Sequence, residues 1–151
     1  MITGDQHRDE RYILLVEDDS DDIELARLAL KQSNIPTDVV VKTDGRQALE
    51  FLEQLPGQNT STDQKPAVVL LDIHMPEIDG FEVLRQIKKN SATKNIPVIM
   101  LTSSVEEHDV MRSYEYGANS YVAKPLNFDD FKETVKKVGN YWLRLNQTAT
   151  S

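Results

Sequence analysis

The sequence predicts an α/β domain, doubly wound around a five-stranded parallel sheet, and three observations carry that reading. Short, nearly continuous apolar runs recur along the chain: Ile13-Leu14-Leu15-Val16, Val68-Val69-Leu70-Leu71 and Val98-Ile99-Met100-Leu101. Runs of this kind suit strands covered on both faces, as in a parallel sheet. Amphipathic stretches with helical spacing separate them, and the alternation of the two kinds of segment is that of repeated β-α units.

Taken in order, the predicted strands are Tyr12–Glu17, Thr37–Lys42, Ala67–Asp72, Ile96–Thr102 and Asn119–Ala123. The first helix, over 21–33, sets Ile23, Ala26 and Leu30 on one side, with Asp19 or Ser20 as its cap. The second, over 45–55, carries Ala48, Leu49, Leu52 and Leu55 behind Asp44. The third, over 79–90, carries Phe81, Leu84 and Ile87. A weaker pattern covers 105–117 and closes at Gly117, and a long one covers 127–145. Pro56 to Pro66 is rich in Gly, Asn, Thr, Ser and Asp and reads as a mobile surface loop. Residues 1–11 and 146–151 are expected to be flexible tails flanking one domain over 12–145.

Composition narrows the function. A chain of 151 residues is long enough for one buried core. With no Cys, disulfides and zinc–sulfur sites are excluded. The first residues hold no apolar run like a signal peptide, and the longest such stretch, Ala67 to Leu71, is too short to span a bilayer, so a cytoplasmic protein without membrane contact is expected. The net charge of -8 argues against a nucleic-acid partner and suits a cation or a basic partner surface.

In open parallel sheets, ligands bind beyond the carboxyl ends of the strands, where strand order reverses. The residues at those ends are Glu17 and Asp18, then Asp72, Thr102 and Lys124. Adjacent strands lie about 4.8 Å apart, so these side chains can share one ligand. Carboxylates so close repel unless a cation intervenes, and a hard ion with oxygen ligands, usually Mg²⁺, relieves the repulsion. Each residue alone has a plain explanation. Acids in a first helical turn favour the dipole, and Asp after a strand is an ordinary turn former. Their joint placement is what points to an anion arriving beside a metal. His7, His74 and His108 lack metal-ligand spacing.

Ile13 through Asp18, Asp72-Ile73-His74-Met75-Pro76 with Asp79-Gly80, Val98 through Thr102, and Tyr121-Val122-Ala123-Lys124-Pro125 resemble the receiver domain of two-component response regulators, from about Tyr12 to Val138. The resemblance implies the flavodoxin-like strand order 2-1-3-4-5. It makes Asp72 the phosphoacceptor. It makes Glu17, Asp18, Asp72 and the His74 main-chain carbonyl the ligands of Mg²⁺ or Mn²⁺, with Asp18 the surer direct ligand because Glu17 stands where many members have Asp. Thr102 and Lys124 become phosphoryl contacts, Tyr121 the aromatic switch, and the Lys124–Pro125 peptide is expected to be cis. The closest likeness is to small regulators associated with bacterial and cyanobacterial phytochromes, on the long loop at 56–66 and on Tyr141-Trp142-Leu143. That implies a light-sensing sensor histidine kinase as partner.

Two other classes compete. An aspartyl-phosphate phosphatase of the haloacid-dehalogenase kind also places its nucleophile at a strand end, but usually has a second Asp two positions on, where this chain has His74. A flavodoxin-like cofactor domain would need a phosphate loop after the first strand, which here ends in five acids within six residues. A switch rather than an enzyme is the reading preferred. Finally, Phe128, Phe131, Val135, Val138, Trp142 and Leu145 form one seam at steps of three and four. A helix over 127–145 spans about 28 Å, more than the roughly 17–23 Å of a strand. The end of the seam should therefore overhang the sheet, and Phe128, Trp142 and Leu145 are expected to build a homodimer.

Overall fold

Side chains along a strand point alternately to opposite faces, and the apolar runs fill both. The computed structural model describes residues 12–32, 38–55, 65–102, 106–124 and 127–141. Its elements are β1 (Tyr12–Val16), α1 (Ser20–Gln32), β2 (Asp38–Lys42), α2 (Gly45–Glu53), β3 (Pro66–Leu71), α3 (Gly80–Lys89), β4 (Val98–Thr102), α4 (Glu107–Glu115), β5 (Ser120–Ala123) and α5 (Phe128–Asn140). All strand pairs are parallel, in the order β2-β1-β3-β4-β5. The expected fold class and strand order are both present.

The sheet divides two apolar cores. Leu14, Val16, Val69, Leu71, Val98 and Met100 face one side with Ala48 and Leu52 of α2 and Phe81, Leu84 and Ile87 of α3. Ile13, Leu15, Val68, Leu70, Ile99 and Leu101 face the other with Ala26, Ala29 and Leu30 of α1 and Phe131 and Val135 of α5. Each such fully enclosed Leu or Ile contributes about 1.5–3 kcal/mol by leaving water. The outer strands differ from the expectation of cover on both faces: β2 and β5 are only half-buried, because an edge strand has a neighbour on one side alone.

Local chemistry fixes the ends of the elements. Asp19 Oδ1 accepts from the backbone N–H groups of Asp21 and Asp22, so Asp19 caps α1. Asp44, Asp79 and Asn127 do the same for α2, α3 and α5. Gly117 takes φ +102° after α4, a conformation that L side chains rarely adopt. Pro66, expected in the loop, instead begins β3, where a missing N–H costs least. The strand expected from Ile96 begins at Val98, because Ile96 N–H closes a turn onto Thr93 and Pro97 has no N–H to donate. Lys88 of α3 donates to the carbonyl oxygens of Lys94, Ile96 and Asn119, tying that helix to the starts of β4 and β5.

The expected loop over 56–64, the tails at 1–11 and 146–151, and Trp142 and Leu145 of the seam lie outside the described residues.

Candidate functional site

Four neighbouring strands end at one edge of the sheet, and main-chain bonds hold those ends in place. Glu17 N–H donates to Lys42 O at 3.1 Å, Asp72 N–H to Val16 O at 3.1 Å, and Lys124 N–H to Thr102 O at 2.8 Å. The side chains that follow are thus carried on rigid backbone at the carboxyl edge of the sheet, next to the β1/β3 junction where strand order reverses. Glu17, Asp72 and Thr102 are buried despite their polarity, whereas Asp18 is exposed.

Carboxylate oxygens of Glu17, Asp18 and Asp72 lie within 4.8 Å of one another. Lys124 reaches in from β5. Its Nζ donates to Glu17 Oε1 at 2.5 Å and to Asp22 Oδ2 at 2.8 Å, and stands 4.0 Å from Asp72 Oδ2. Glu17 Oε2 also accepts from Asp19 N–H at 3.2 Å. Burial pushes the Glu17 carboxyl up to about 7; the Lys124 hydrogen bond opposes this, and the Asp72 charge adds to it. Burial works against the Lys124 ammonium, but its hydrogen bonds to Asp22 and Glu17 and the pull of Asp72 outweigh it, so its pKa is raised. Lys124 therefore stays charged.

Three carboxylates thus face one ammonium, and that of Asp18 lies within 4.8 Å of two of them. That excess of negative charge and that all-oxygen donor set fit a hard divalent cation.

The structure brings together Glu17, Asp18, Asp72 and Lys124 as the sequence predicts. Thr102 ends β4 beside them, fully enclosed. Tyr121 is half-buried and packs on the core that α2 and α3 share with the sheet. His74 is exposed two residues beyond Asp72. Pro125, and with it the expected cis bond, lies outside the described residues.

Three features were not foreseen. Asp22 belongs to the acidic run but joins the site through Lys124. Glu77, in the turn after Asp72, holds φ 67°, a left-handed conformation that costs energy for a non-glycine residue. His108 Nε2 lies 3.4 Å from both Glu106 and Asp109 at the start of α4, where the positive end of the helix disfavours a cation.

Comparison with known proteins agrees with this geometry. Residues 13–136 match the response regulator receiver domain. The response regulator Rcp1 of Synechocystis sp. is 39% identical over 140 residues, which cover 93% of this chain and 94% of that one. The probable methanogenesis regulatory protein FilR2 of Methanothrix harundinacea is also 39% identical, covering 93% and 88%. The crystal structure of the phosphorylated cyanobacterial phytochrome response regulator RcpA superposes with a TM-score of 0.82 at 35% identity, covering 92% and 98%. The Mn²⁺-bound form of Rcp1 gives 0.80 at 38%, covering 91% and 98%. Receiver domains bind Mg²⁺. The chain belongs to the response-regulator receiver domain family, the receiving component of two-component systems.

Proposed function

We propose that this chain is a switch that accepts a phosphoryl group on Asp72 from the phosphohistidine of a sensor histidine kinase. The observation that carries the reading is one arrangement: a buried carboxylate, at a strand end, within 4.8 Å of two further carboxylates and 4.0 Å from an ammonium. An Asp72 oxygen attacks phosphorus as the bond to the histidine nitrogen breaks. Phosphoryl transfer asks mainly for positioning and charge neutralisation. The rigid end of β3 supplies the first. Lys124 and the enclosed Thr102 hydroxyl supply part of the second. A bound Mg²⁺ or Mn²⁺ would neutralise charge on the carboxylates and on the incoming group. Glu17, Asp18, Asp72 and the His74 carbonyl would hold it, with Asp18 the more direct ligand, since both Glu17 oxygens already accept hydrogen bonds.

Intact-mass measurement after acetyl phosphate and Mg²⁺ should show one added phosphoryl group that chelation prevents. Removing a hard anionic ligand should weaken the metal, so Asp18→Asn should lower Mg²⁺ affinity in a fluorescence or calorimetric titration. Unchanged affinity would move the cation elsewhere.

The new acyl phosphate brings charge and acceptor oxygens beside Thr102 and Lys124. In this reading Thr102 draws toward it, Tyr121 fills the space released, and the surface of α4, β5 and α5 changes its binding preference. The protein signals by changed contacts and does not turn over a substrate. It works in the cytoplasm, where the kinase acts. Similarity to Rcp1 and RcpA supports a phytochrome-like kinase upstream.

The α5 seam supports a homodimer. Phe131 and Val135 are used within the domain, Val138 packs partly there, and Phe128 stays half-exposed beneath Lys132, where a second copy would cover it. Sedimentation at micromolar concentration should give a dimer that Trp142→Ala weakens. A monomer at every concentration, phosphorylated or not, would refute this.

A further inference from the structure

Asp22 is one of the acids of the opening run that the strand-end argument leaves unused. It lies in the first turn of α1, and its Oδ2 takes a hydrogen bond from Lys124 across 102 positions of sequence. The same ammonium donates to Glu17 and stands 4.0 Å from Asp72. Held by Glu17 and Asp22, the ammonium stays 4.0 Å from Asp72, beyond hydrogen-bond distance, so it must shift to bond a group attached there.

We propose that Asp22 is a positioning residue for Lys124, holding its ammonium in the unphosphorylated site and releasing it when Asp72 carries a phosphoryl group. The proposal rests on reading Asp72 as the phosphoacceptor. A phosphoryl group there presents new negative charge and acceptor oxygens close to Nζ. Of the two carboxylates already bound, Glu17 is enclosed and also takes the Asp19 N–H. The Asp22 side chain is 33% exposed, so water can replace its hydrogen bond at little cost. Asp22 is thus the partner that Lys124 leaves. An interaction made in only one of two states favours that state by its own free energy. Asp22 accordingly biases the site toward the unphosphorylated form and sets how much phosphodonor is needed to switch it.

The test is a double-mutant cycle at Asp22 and Lys124. Wild type, Asp22→Ala, Lys124→Gln and the double variant are titrated with acetyl phosphate at fixed Mg²⁺, and the phosphorylated fraction is read by intact mass. Asp22→Ala should reach half-phosphorylation at about three- to tenfold less donor, the range expected for one modest hydrogen bond. In the Lys124→Gln background the same change should have almost no effect, and Asp22→Glu should return toward wild type. A second measurement needs no phosphorylation: acetylation of Lys124 by acetic anhydride, quantified on its peptide, should rise severalfold in Asp22→Ala. A higher donor requirement in Asp22→Ala, an equal shift without Lys124, or unchanged Lys124 acetylation overturns the proposal. If wild type took no phosphoryl group on Asp72, the phosphoacceptor reading would fall, and the acetylation comparison would still decide whether Asp22 holds Lys124.

Discussion

Asp72→Asn should abolish Mg²⁺-dependent phosphorylation while leaving the fold at least as stable as wild type. The amide has nearly the volume of the carboxylate, so β3 and the turn behind it keep their packing, but a neutral amide is no nucleophile toward phosphorus. Stability should not fall, because Asp72 is one of three carboxylates gathered around one ammonium, and its charge helps to raise the pKa of Glu17. Removing it relieves that repulsion. Thermal melting and intact mass on the same sample separate the two effects. A variant that melts like wild type and gains no phosphoryl group supports Asp72. Equal labelling of the variant would place the acceptor on another residue.

The strands and the site edge were legible because both depend on short-range pattern. A buried parallel strand must be apolar on both faces, and the first polar residue marks its end, so the runs before Glu17, Asp72 and Thr102 announced the fold and the site together. What was not legible depends on partners distant in sequence. Asp22 could not be told from its acidic neighbours until Lys124 reached it. Within that run the roles divide: Asp19 caps α1, Glu17 and Asp18 face Asp72, and Asp22 meets Lys124.

The fourth helix looked weak for a related reason. Its buried face is made by Asp109 and Ser113, and the Ser113 hydroxyl donates to the Asp109 carbonyl, so no apolar stripe was there to find. Its exposed side chains still contribute to packing: the Arg112 guanidinium lies 4.3 Å from the Phe81 ring centroid and 5.7 Å from that of Tyr116, joining α4 to α3. Glu77 gave no warning either, since left-handed turns are ordinarily marked by Gly or Asn.

Gly80→Ala should be the most damaging small substitution near the site. Gly80 opens α3 directly against the residues that follow β3: its N–H donates to Ile73 O at 2.8 Å, and a Cβ there would lie 2.2 Å from Asp72 O and 2.8 Å from Ile73 Cα. These are backbone atoms of the segment that directly continues a central strand and cannot swing aside. Either α3 lifts from the sheet, loosening the enclosed Phe81 and Leu84 behind it, or the Asp72 peptide shifts. Overpacking of this kind costs about 1–3 kcal/mol, and backbone collision favours the upper end. A loss of about 3 kcal/mol lowers the thermal midpoint by about 6–12 °C in a domain of this size. Phosphorylation should also slow, because the displaced peptide carries the acceptor. Gly117→Ala separates the two consequences. It also costs stability, through its φ of +102°, but at the opposite edge of the sheet, where a Cβ meets the flexible Lys88 side chain rather than backbone. Gly117→Ala should therefore melt earlier than wild type yet label at the wild-type rate, whereas Gly80→Ala should lose both. If Gly80→Ala melted and labelled like wild type, α3 could not be pressed against Asp72 in solution as it is here.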